Sequence, residues 1–589
     1  MKGWPTQVHT VDIAIVGGGG AGLRAAIAVA EHAPERSIAL VSKVFPMRSH
    51  TVTAEGGAGG VIRDDDSLEA HFQDTVAGGE WLCDQDVVDL FVERAAREMV
   101  DLEHRGCPWS RNDDGTVATR AFGGMSKERS WFAADKTGFH MLHTLFQSSL
   151  RHRSIRRFDE FYTLDLVVCD GRIEGLVALE RRTGALHLIR ASAVVLATGG
   201  AGRAFAFTTN GNIKTGDGMA MAFRAGVDLQ DMEFVQYHPT GLPGSGILIT
   251  EGCRGEGGVL LNREGRRYLQ DHGLGPAEPW PRKRAMELGP RDRISQAFWH
   301  EERAGRVFET PEGNAVHLDL RQLGEARINE RLPFVRQLAT KYAGVDPVHA
   351  PIPVRPVVHY TMGGVRTDIH TRTAVKGLYA AGECASVGLH GANRLGSNSL
   401  AEIVVFGRIA GETAADDLGH GLDVRDGSLD AFRARAEQTV APVLERLFGR
   451  GSVRVPQLRD RLQAAMEAGA GIYRTKASID EALAAVESVQ SAFDDLSLHD
   501  RSKIHNTELV EALELRSMID VSLAILSGAR ARTESRGAHQ RLDHLQRDDD
   551  QFLRHTICVA DGHRGGAPEI RFEPVRLGRC RPGERVYGR

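Results

Sequence analysis

The stretch VDIAIVGGGGAG at residues 11–22 decides the fold of this chain. Residues 11–16 form an apolar run of the kind found in buried parallel strands. Gly17, Gly19 and Gly22 then match the GxGxxG pattern, in which the first glycine allows a tight turn, the second lets a pyrophosphate approach the backbone, and the third lets helix and strand pack closely. An Ala-rich helix over 23–33 and a strand over 38–41 follow. The segment therefore predicts the β–α–β entry of a dinucleotide-binding α/β domain.

The composition excludes several classes of protein. At 589 residues the chain is too long for one hydrophobic core, so several domains are expected. A net charge of −5 gives no basic bias toward nucleic acid. The seven cysteines include no CxxC pair, which argues against an iron–sulfur cluster or a disulfide framework in this chain. Because we see no signal peptide and no apolar run of about 18 residues, membrane association is expected only through partner subunits.

Two further strand ends predict that the cofactor domain is interrupted by an insertion. The segments AVVLATGG at 193–200 and GLYAAGE at 377–383 each combine an apolar strand with a glycine turn. The predicted boundaries are 1–231 and 357–418 for the two parts of the cofactor domain, 232–356 for a capping domain, 419–545 for a helical domain and 546–589 for a small C-terminal domain. The capping segment contains Pro276, Pro279 and Pro281. Helical periodicity covers 428–448, 457–469, 478–496 and 506–532, and the tail has a strand-like run at 569–572.

A second motif, RSHTVTAEGG at residues 48–57, follows the glycine fingerprint and contains His50. With that fingerprint, it makes the chain resemble, over nearly its whole length, the flavoprotein subunit of fumarate reductase and succinate dehydrogenase. The resemblance implies an α/β fold with a Rossmann-like FAD-binding domain interrupted by a capping domain, followed by a helical bundle and a small C-terminal domain. It also implies that His50 binds FAD covalently, through a ring nitrogen and the flavin 8α-methyl. On residue type alone, His50 could instead be an ordinary turn or surface residue.

The resemblance extends to the residues expected to bind FAD. The second strand ends in Ser42 and Lys43 rather than in the acidic residue that usually holds a ribose hydroxyl. This departure weighs against an NAD enzyme and matches the resembled family. The full expected set is Gly17, Gly18, Gly19, Gly20, Ala21, Gly22, Ser42, Lys43, Ser49, His50, Thr51, Glu55, Gly56, Gly57, Asp217, Glu383, Arg394, Ser399 and Leu400.

Four residues in this set have more specific expected roles. Asp217 is expected to contact FAD, although it could instead cap a helix that begins at Gly218. Glu383, at the end of a strand, is expected to bind ribityl or ribose hydroxyls. Ser399 and Leu400 are expected to start a helix whose dipole stabilises the anionic reduced flavin.

The expected substrate residues are scattered along the sequence, as they would be if a capping domain closes on the cofactor domain. They lie in the motifs QYHPTG (236–241), TEGCRGEGG (250–258), GPRD (289–292), HYTMGG (359–364) and HGANRLGSN (390–398). Singly, such residues are more often structural, but together they match the family. A C4 dicarboxylate needs donors for two carboxylates, and arginine offers planar, bidentate geometry. The resemblance assigns substrate binding to His238, Thr250, Glu251, His359 and Arg394.

The resemblance also implies a proton donor for fumarate. Hydride passes from the flavin to one alkene carbon, and Arg291 protonates the other, with Glu251 and Arg254 as its proton relay. An arginine acid is unusual because a free guanidinium has a pKa above about 12. The developing carbanion is strongly basic, however, so donation is feasible if the relay reprotonates Arg291. An alternative assignment makes His238 and Arg254 the acid–base pair, and the sequence leaves both assignments open.

One residue bears on the direction of catalysis. Glu55, five residues after His50, matches the reductase branch, whereas the dehydrogenase branch has Gln there. A carboxylate beside the flavin would lower its potential and favour electron donation to fumarate. The expected function is therefore that of the catalytic flavoprotein subunit of a membrane-bound quinol:fumarate reductase. The alternative is the flavoprotein subunit of succinate dehydrogenase, which runs the reverse reaction.

The resemblance further implies partners and a location. It predicts an iron–sulfur subunit, membrane anchor subunits that use quinol or quinone, and a flavin-attachment assembly factor, with no nucleic acid and no metal in this chain. The location expected is the cytoplasmic face of the bacterial inner membrane, reached through those subunits. A stand-alone flavin oxidase would lack His50 or show a signal peptide or haem motif, and a catalytically inactive scaffold would lack some of the substrate residues. This sequence contains His50 and all the expected substrate residues, and we see no signal peptide or haem motif in it, so neither class fits.

Overall fold

The computed structural model of the protein describes residues 4–275, 286–422, 428–560 and 566–585. The three prolines of the capping segment, Pro276, Pro279 and Pro281, lie outside the described residues. None of the helices within the described ranges is long and apolar enough to cross a bilayer.

Strands occur along the whole described chain. In order they are β1 (Thr6–Val16), β2 (Ile38–Ser42), β3 (Ala58–Gly59), β4 (Thr119–Arg120), β5 (Ser130–Trp131), β6 (Ile155–Asp159), β7 (Phe161–Cys169), β8 (Arg172–Glu180), β9 (Leu186–Leu196), β10 (Leu229–Gln230), β11 (Val235–Gly241), β12 (Val259–Leu261), β13 (Val316–Asp319), β14 (Ile352–Thr361), β15 (Gly364–Arg366), β16 (Leu378–Ala380), β17 (Ala385–Ser386), β18 (Tyr473–Arg474), β19 (Gln540–Arg541), β20 (Arg554–Cys558) and β21 (Ile570–Pro574).

Helices surround these strands and dominate the region after residue 428. In order they are α1 (Gly20–His32), α2 (Leu68–Gly78), α3 (Gln85–His104), α4 (Thr137–Ser149), α5 (Asp217–Arg224), α6 (Gly252–Gly255), α7 (Arg291–Arg303), α8 (Gly324–Arg331), α9 (Pro333–Leu338), α10 (Asn398–Asp417), α11 (Leu429–Leu447), α12 (Val455–Gly469), α13 (Lys476–Phe493), α14 (Thr507–Ala531) and α15 (Asp549–Phe552).

A seven-stranded sheet forms the centre of the cofactor domain, in the order β6-β2-β1-β9-β8-β7 with β16 also paired to β9. Strands β6, β2, β1 and β9 are parallel neighbours, while β8 runs antiparallel to β9 and to β7. Strand β9 pairs with β1 along one edge; along the other it pairs first with β8 and then with β16, in parallel. The strand end predicted at 377–383 therefore joins the same sheet as the other two, and the interrupted α/β fold is confirmed.

The glycine run contributes to the first helix as well as to the loop before it. The sequence predicts that this helix starts at residue 23, but α1 begins at Gly20, with Gly19 as its N-cap residue. The prediction places the start too late because small residues in a glycine run can enter a helical turn when tertiary packing favours it. The first backbone N–H groups of this helix have no partner within the helix, and that of Gly20 donates to Oγ1 of Thr51 at 3.1 Å.

The insertion forms a separate layer around its own core. Strands β11, β14, β13 and β12 make an antiparallel sheet, and α7 packs against β11. A hydrophobic cluster that includes Leu260, Leu318 and Phe298 fills this layer. The boundary predicted at residue 356 falls inside β14, a continuous strand that pairs first with β13 and then with β11. The chain therefore leaves the cap along one strand rather than through a linker.

Capping residues explain where the helices after residue 428 begin. The side chains of Ser428, Thr475 and Asn506 each accept a hydrogen bond from a backbone N–H in the first turn of α11, α13 and α14. These three helices and α12 share one hydrophobic cluster with the central sheet. The predicted helical bundle is therefore present and packs directly on the cofactor domain.

The tail adds two strands to a sheet that earlier parts of the chain also form. Strands β20 and β21 extend a five-stranded sheet of order β17-β15-β10-β20-β21, so the tail pairs with strands from residues 229–386. The strand-like run predicted at 569–572 is part of β21. Each strand in this sheet has at most five residues, too few to form a stable layer without its neighbours.

Candidate active site

A cavity of about 680 Å³ lies where the carboxyl ends of β1, β2 and β9 meet the start of α10 and the inner face of the cap. Its lining contains the expected cofactor residues except Gly22, all the expected substrate-binding residues, and the expected catalytic residues except Arg254. The position agrees with the rule that open α/β sheets bind ligands beyond the carboxyl ends of their strands. The scattered motifs are thus brought together at one place.

Gly22 is absent from the lining because it packs against the strand. A Cβ on Gly22 would lie 1.8 Å from the carbonyl oxygen of Gly17, and Gly17 itself has a φ of +116°, which favours glycine. At Gly19 the situation is different, since an added Cβ would meet no protein atom closer than 3.4 Å. The protein would therefore accommodate a Cβ at Gly19, and a glycine here fits the close approach of a pyrophosphate to the start of α1.

His50 stands beside this loop at the start of a short helical turn, His50–Thr53. Its Nδ1 lies 3.2 Å from Oγ1 of Thr53 and 3.5 Å from the backbone nitrogen of Gly211. Burial, together with the nearby Lys214, holds the pKa of His50 well below its ordinary value of 6.5. The ring is therefore neutral, the form in which a ring nitrogen is nucleophilic, and Nε2 has no hydrogen-bond partner among the described residues.

Asp217 does not cap the helix that it begins. The N-cap residue of α5 is Gly216, and no side chain caps this end. Instead Oδ2 of Asp217 accepts from Nζ of Lys43 at 2.7 Å, while Oδ1 accepts from the hydroxyl of Tyr162 at 3.2 Å. Lys43 also donates to Glu514 of α14 at 2.8 Å. The alternative that Asp217 is a helix cap is therefore wrong, and the Lys43 ammonium is neutralised by two carboxylates instead of being left free for a phosphate.

Glu383 is held by a lysine that the sequence motifs did not single out. Lys214 forms an ion pair with Oε2 of Glu383, while Oε1 accepts from the backbone nitrogen of Thr361 at 3.2 Å. Burial lowers the pKa of Lys214 and Glu383 opposes that effect. One Glu383 oxygen is therefore committed to Lys214, and hydroxyl binding at this position would involve both side chains.

The start of α10 closes another side of the cavity. Ser399 and Leu400 lie in its first turn and line the cavity, as predicted. The N-cap residue Ser397 has a φ of +63°, and its hydroxyl is buried without a hydrogen-bond partner in the described residues. Asn398 fixes this turn because its Oδ1 lies 3.0 Å from Nε2 of the buried His71. Unpaired backbone N–H groups and a positive helix end thus face the cavity.

On the cap side, two buried arginines meet at one neutral acceptor. Nη1 of Arg291 and Nη2 of Arg394 donate to the same oxygen, Oε1 of Gln236, at 3.0 and 3.2 Å. The Gln236 amide is fixed because its Nε2 donates to Asn393 at 2.8 Å. Arg394 lies 4.1 Å above the ring of Tyr360 and forms no ion pair within the described chain. Burial and the nearby Arg291 lower the pKa of Arg394 to about 10, so it stays charged at neutral pH.

Arg291 is linked to the carboxylate predicted as its relay partner. Its Nε donates to Oε2 of Glu251 at 2.8 Å, and Oε1 of Glu251 accepts from the backbone nitrogen of Gly123. Burial alone would raise the pKa of Glu251, but Arg291 and Arg254 outweigh it, so the pKa is lowered. Arg254 lies behind this pair, with its Nη2 3.7 Å from Glu251 and its side chain fully buried. Arg254 is therefore connected to the cavity only through Glu251.

The two histidines predicted to bind substrate, His238 and His359, are both neutral and can take part in hydrogen bonds. Their ring centroids are 5.1 Å apart, and Nδ1 of His238 accepts from the backbone nitrogen of Thr240 at 3.2 Å, which assigns the proton to Nε2. Burial and Arg291 hold the pKa of His238 well below 6.5, and burial and His238 do the same for His359. Nδ1 of His359 lies 2.8 Å from Oγ1 of Thr209.

The environment of Glu55 disfavours the charge expected on it. Its side chain is buried, Oε2 has no hydrogen-bond partner in the described residues, and burial followed by the nearby Asp135 raises its pKa well above 4.5 despite Arg120. Burial of this kind penalises the carboxylate form. The expectation that a Glu55 carboxylate lowers the flavin potential stays a prediction.

Sequence reasoning missed Gln236, Lys214, Tyr360 and Thr209, all of which contact the predicted residues. A signal existed for Gln236, because it precedes His238 by two residues on β11, and alternate residues of a strand share a face. Lys214 and Thr209 lie in an irregular loop, where no periodicity marks their neighbours. Tyr360 sits beside His359 in the sequence, but its position beneath Arg394 depends on pairing across the fold.

The cavity fits a flavin dinucleotide on its own features. A Cβ on Gly19 would clash with no protein atom, the first turn of α10 lies on the cavity wall, and the hydroxyls of Ser49 and Ser397 are buried without partners among the described residues. Orphan donors and acceptors of this kind are expected where a polar ligand binds. The residues required for pyrophosphate and isoalloxazine contacts therefore line one continuous cavity.

Comparison with known proteins agrees with this geometry. A family model described as FAD binding domain matches residues 12–400, and one described as fumarate reductase flavoprotein C-term matches residues 459–587. The fumarate reductase flavoprotein subunit of a Serratia species is 56% identical over 99% of this chain and 97% of its own length. A solved structure of a variant of Escherichia coli quinol fumarate reductase is 55% identical, with a TM-score of 0.96, and covers 99% of each chain. The succinate dehydrogenase flavoprotein subunit of Rickettsia conorii is 40% identical over 97% of this chain and 96% of its own length.

The fold and the cavity define an FAD-binding oxidoreductase of the doubly wound α/β class. Within that class, the chain belongs to the family of fumarate reductase and succinate dehydrogenase flavoprotein subunits, as its sequence predicts. The predicted FAD cofactor and the predicted oxidoreductase activity are thereby confirmed.

Proposed function

We propose that this chain is the FAD-bearing catalytic subunit of a quinol:fumarate reductase and reduces fumarate to succinate. The observation that carries the proposal is the pair of buried guanidiniums of Arg291 and Arg394, which share only a neutral amide on the wall of the flavin cavity. Arg291 is paired with Glu251, but Arg394 has no ion-pair partner among the described residues, and a buried arginine in that state is costly unless an anion binds it. A small dicarboxylate supplies that anion.

The substrate carboxylates would be held by donors whose charge does not change near neutral pH. Arg394 supplies a planar cation fixed over Tyr360, and His238 supplies the N–H at Nε2. His359 and Thr250 line the same wall. Because both histidines are neutral, the positive charge in the site comes from the arginines.

The proposed chemistry divides between cofactor and protein. FAD, when bound and reduced, supplies the hydride that one alkene carbon of fumarate accepts. Arg291 donates the proton to the other alkene carbon from Nη2, the nitrogen without a hydrogen-bond partner among the described residues. One hydride and one proton convert the dianion of fumarate into that of succinate. Glu251, bonded to Nε, returns a proton to Arg291, and Arg254 lies 3.7 Å behind Glu251 to continue the relay.

This arrangement favours Arg291 over the alternative acid–base pair. His238 is neutral because burial and three nearby arginines hold its pKa low, so it has no readily available acidic proton. Arg254 has no access to the cavity except through Glu251. Arg291 alone combines contact with the cavity and contact with a carboxylate that can reprotonate it.

Covalent attachment of FAD through Nε2 of His50 is part of the proposal. The neutral ring lines the cavity beside the glycine loop, and Nδ1 is already engaged by Thr53 and Gly211. His50→Ser is expected to retain FAD that is released on denaturation, to lose succinate oxidation and to keep most of its fumarate reduction. Flavin fluorescence of the denatured chain on a gel measures attachment. Succinate oxidation at the wild-type rate would contradict the proposed effect on potential.

The proposed assembly includes other subunits. One solved relative, 55% identical with a TM-score of 0.93, is described as quinol-fumarate reductase with menaquinol molecules. By analogy, electrons reach this chain from a quinol through an iron–sulfur subunit and membrane anchor subunits, and the chain is held at the cytoplasmic face of the membrane through them. The proposal also includes an assembly factor for flavin attachment. It further divides the chain into five domains with the boundaries given above.

The reductase direction rests on overall similarity rather than on Glu55. The chain is 56% identical to a fumarate reductase subunit and 40% identical to a succinate dehydrogenase subunit over nearly the same length. Because burial raises the pKa of Glu55 and so disfavours its carboxylate form, this residue supports the direction less strongly than the overall similarity does. Succinate dehydrogenase remains the second candidate because both kinds of relative span the chain.

The deciding experiment compares the two directions in the assembled complex. Fumarate-dependent oxidation of a reduced viologen and succinate-dependent reduction of an artificial acceptor are measured on one preparation. A large excess of fumarate reduction supports the reductase. Dominant succinate oxidation assigns the chain to the dehydrogenase, and the absence of both activities overturns the dicarboxylate assignment.

A further inference from the structure

Helix α7 begins with two charged residues that point to different places. Arg291 reaches the flavin cavity, where it meets Glu251 and Gln236. Asp292, the next residue, is buried on the other side of the same turn, with its side chain 1% exposed. The position of Arg291 is therefore tied to whatever holds Asp292.

Asp292 is held by the tail of the chain. The guanidinium of Arg585 makes a bidentate contact with this carboxylate, with Nη2 2.6 Å from Oδ2 and Nη1 3.2 Å from Oδ1. The Arg585 side chain is only 7% exposed. A bidentate contact of this kind fixes orientation as well as distance.

The other edge of Arg585 is anchored to the cofactor domain. Its Nε contacts Oε1 of Glu80 at 2.5 Å, and Oε2 of Glu80 accepts from Nη1 of Arg547 at 2.8 Å. Glu80 has a φ of +54°, and Arg536 donates to its carbonyl oxygen at 2.9 Å, so its backbone is fixed as well. Arg585 thus bridges a rigid residue of the cofactor domain to the first turn of a cap helix.

We propose that Arg585 is a positioning residue, which sets the location of Arg291 for proton donation by clamping Asp292 to Glu80. The inference rests on the proposed function, because it concerns the same proton transfer. Arg585 is not among the residues that line the cavity. Its effect is therefore expected on the rate of the chemical step more than on substrate binding, which Arg394 and the histidines provide.

The physical reason is that the apolar side chains that pack α7 into the cap core, Ile294, Ala297 and Phe298, lie after the two charged residues at its start. Along the helix, Ser295 donates to the carbonyl oxygen of Tyr237 at 3.4 Å and Gln296 donates to that of Gly537 at 3.5 Å, both long contacts. Without Arg585, the buried Asp292 carboxylate would lack its bidentate partner and would turn toward water, rotating the first turn of α7. Displacement of a catalytic group by about 1 Å can cost on the order of 100-fold in rate.

The test uses Arg585→Ala and Asp292→Asn in the assembled, FAD-loaded complex, with a reduced viologen as electron donor. Each variant is expected to lower kcat for fumarate reduction by about 10- to 100-fold, with little change in KM. The solvent deuterium isotope effect on kcat is expected to rise, because proton donation becomes slower. Arg585→Lys should recover part of the rate that Arg585→Ala loses, since an ammonium keeps the charge but cannot make the bidentate contact. The double variant should be no worse than the poorer single one, because the two residues act as a unit.

Arg579→Ala is the matched control, because Arg579 lies on the same tail and pairs with Glu69 and Asp89, away from the cap. It should leave kcat unchanged. Wild-type kcat in the Arg585 and Asp292 variants, or a rise in KM alone, overturns the inference, and so does an equal loss in the control. If Arg585→Ala loses its flavin, Asp292→Asn, which keeps the side-chain shape, decides the question. A wild-type complex without fumarate turnover would instead overturn the proposed function.

Discussion

At the scale of single residues, Arg291 is the position on which the proposed chemistry depends. Arg291→Ala is expected to retain FAD and lower kcat for fumarate reduction by about 10²- to 10⁴-fold, the usual range for loss of a general acid. Steady-state kinetics and flavin content on the same sample measure both quantities. Arg293→Ala, an exposed residue of the same helix, serves as the control and should behave like wild type. Near-normal turnover in Arg291→Ala would remove Arg291 from the mechanism.

The sequence predicts which residues surround the site better than it predicts their charge states. Nearly all expected residues line the cavity, because motif spacing reports which strand ends and helix starts meet. Protonation depends on burial and on neighbours that are remote in sequence. The raised pKa of Glu55 reflects its burial and the nearby Asp135, and the neutralisation of Lys43 depends on Glu514, which is several hundred residues away. No local pattern contains that information.

At the scale of elements, the loop before α1 separates two roles for glycine. Gly22→Ala places a methyl group 1.8 Å from a backbone oxygen and is expected to disrupt the packing of α1 on β1, with a loss of soluble, flavin-containing protein. Gly19→Ala has room within the protein and is expected to fold but to bind FAD more weakly. Circular dichroism and flavin content distinguish the two variants. Equal flavin content in both would contradict the assignment of Gly19 to the pyrophosphate.

The start of a helix can be predicted from the sequence where a capping side chain marks it. Helices α11, α13 and α14 begin directly after capping side chains that the sequence displays, so their predicted starts are within a few residues. Strands β10, β15 and β17 have two or three residues each and were not predicted. Such short strands exist because partners from distant parts of the chain supply their hydrogen bonds, which no window of sequence reveals.

At the scale of the whole molecule, His555 joins the tail to two distant segments. Its Nδ1 lies 2.6 Å from Asp231, and its Nε2 lies 3.3 Å from Asp84. Although burial opposes the charge, these carboxylates raise the pKa of His555 from 6.5 to about 10. The unfolded chain loses this proton near pH 6.5 and the folded chain near pH 10. The stabilisation is therefore complete below pH 6.5 and disappears as the pH rises through 10.

His555→Gln tests this dependence. The melting temperature of the variant is expected to fall furthest below that of wild type at pH 6 to 7, and the difference should shrink steadily toward pH 10. Thermal unfolding followed across this range gives the difference directly. His349→Gln, at an exposed position, is the control and should track wild type at every pH. A difference that stays constant with pH would mean that His555 acts through packing and not through its charge.

The five-stranded sheet also bears on how the protein is made. During synthesis, β10 leaves the ribosome several hundred residues before β20, so one edge of β10 stays unpaired until the tail arrives. Closing so long a loop is slow, and an open strand edge is prone to pair with other chains. The nascent cofactor domain is therefore expected to need a chaperone until the tail docks. A nascent chain that ends with the helical bundle is still expected to be prone to aggregation.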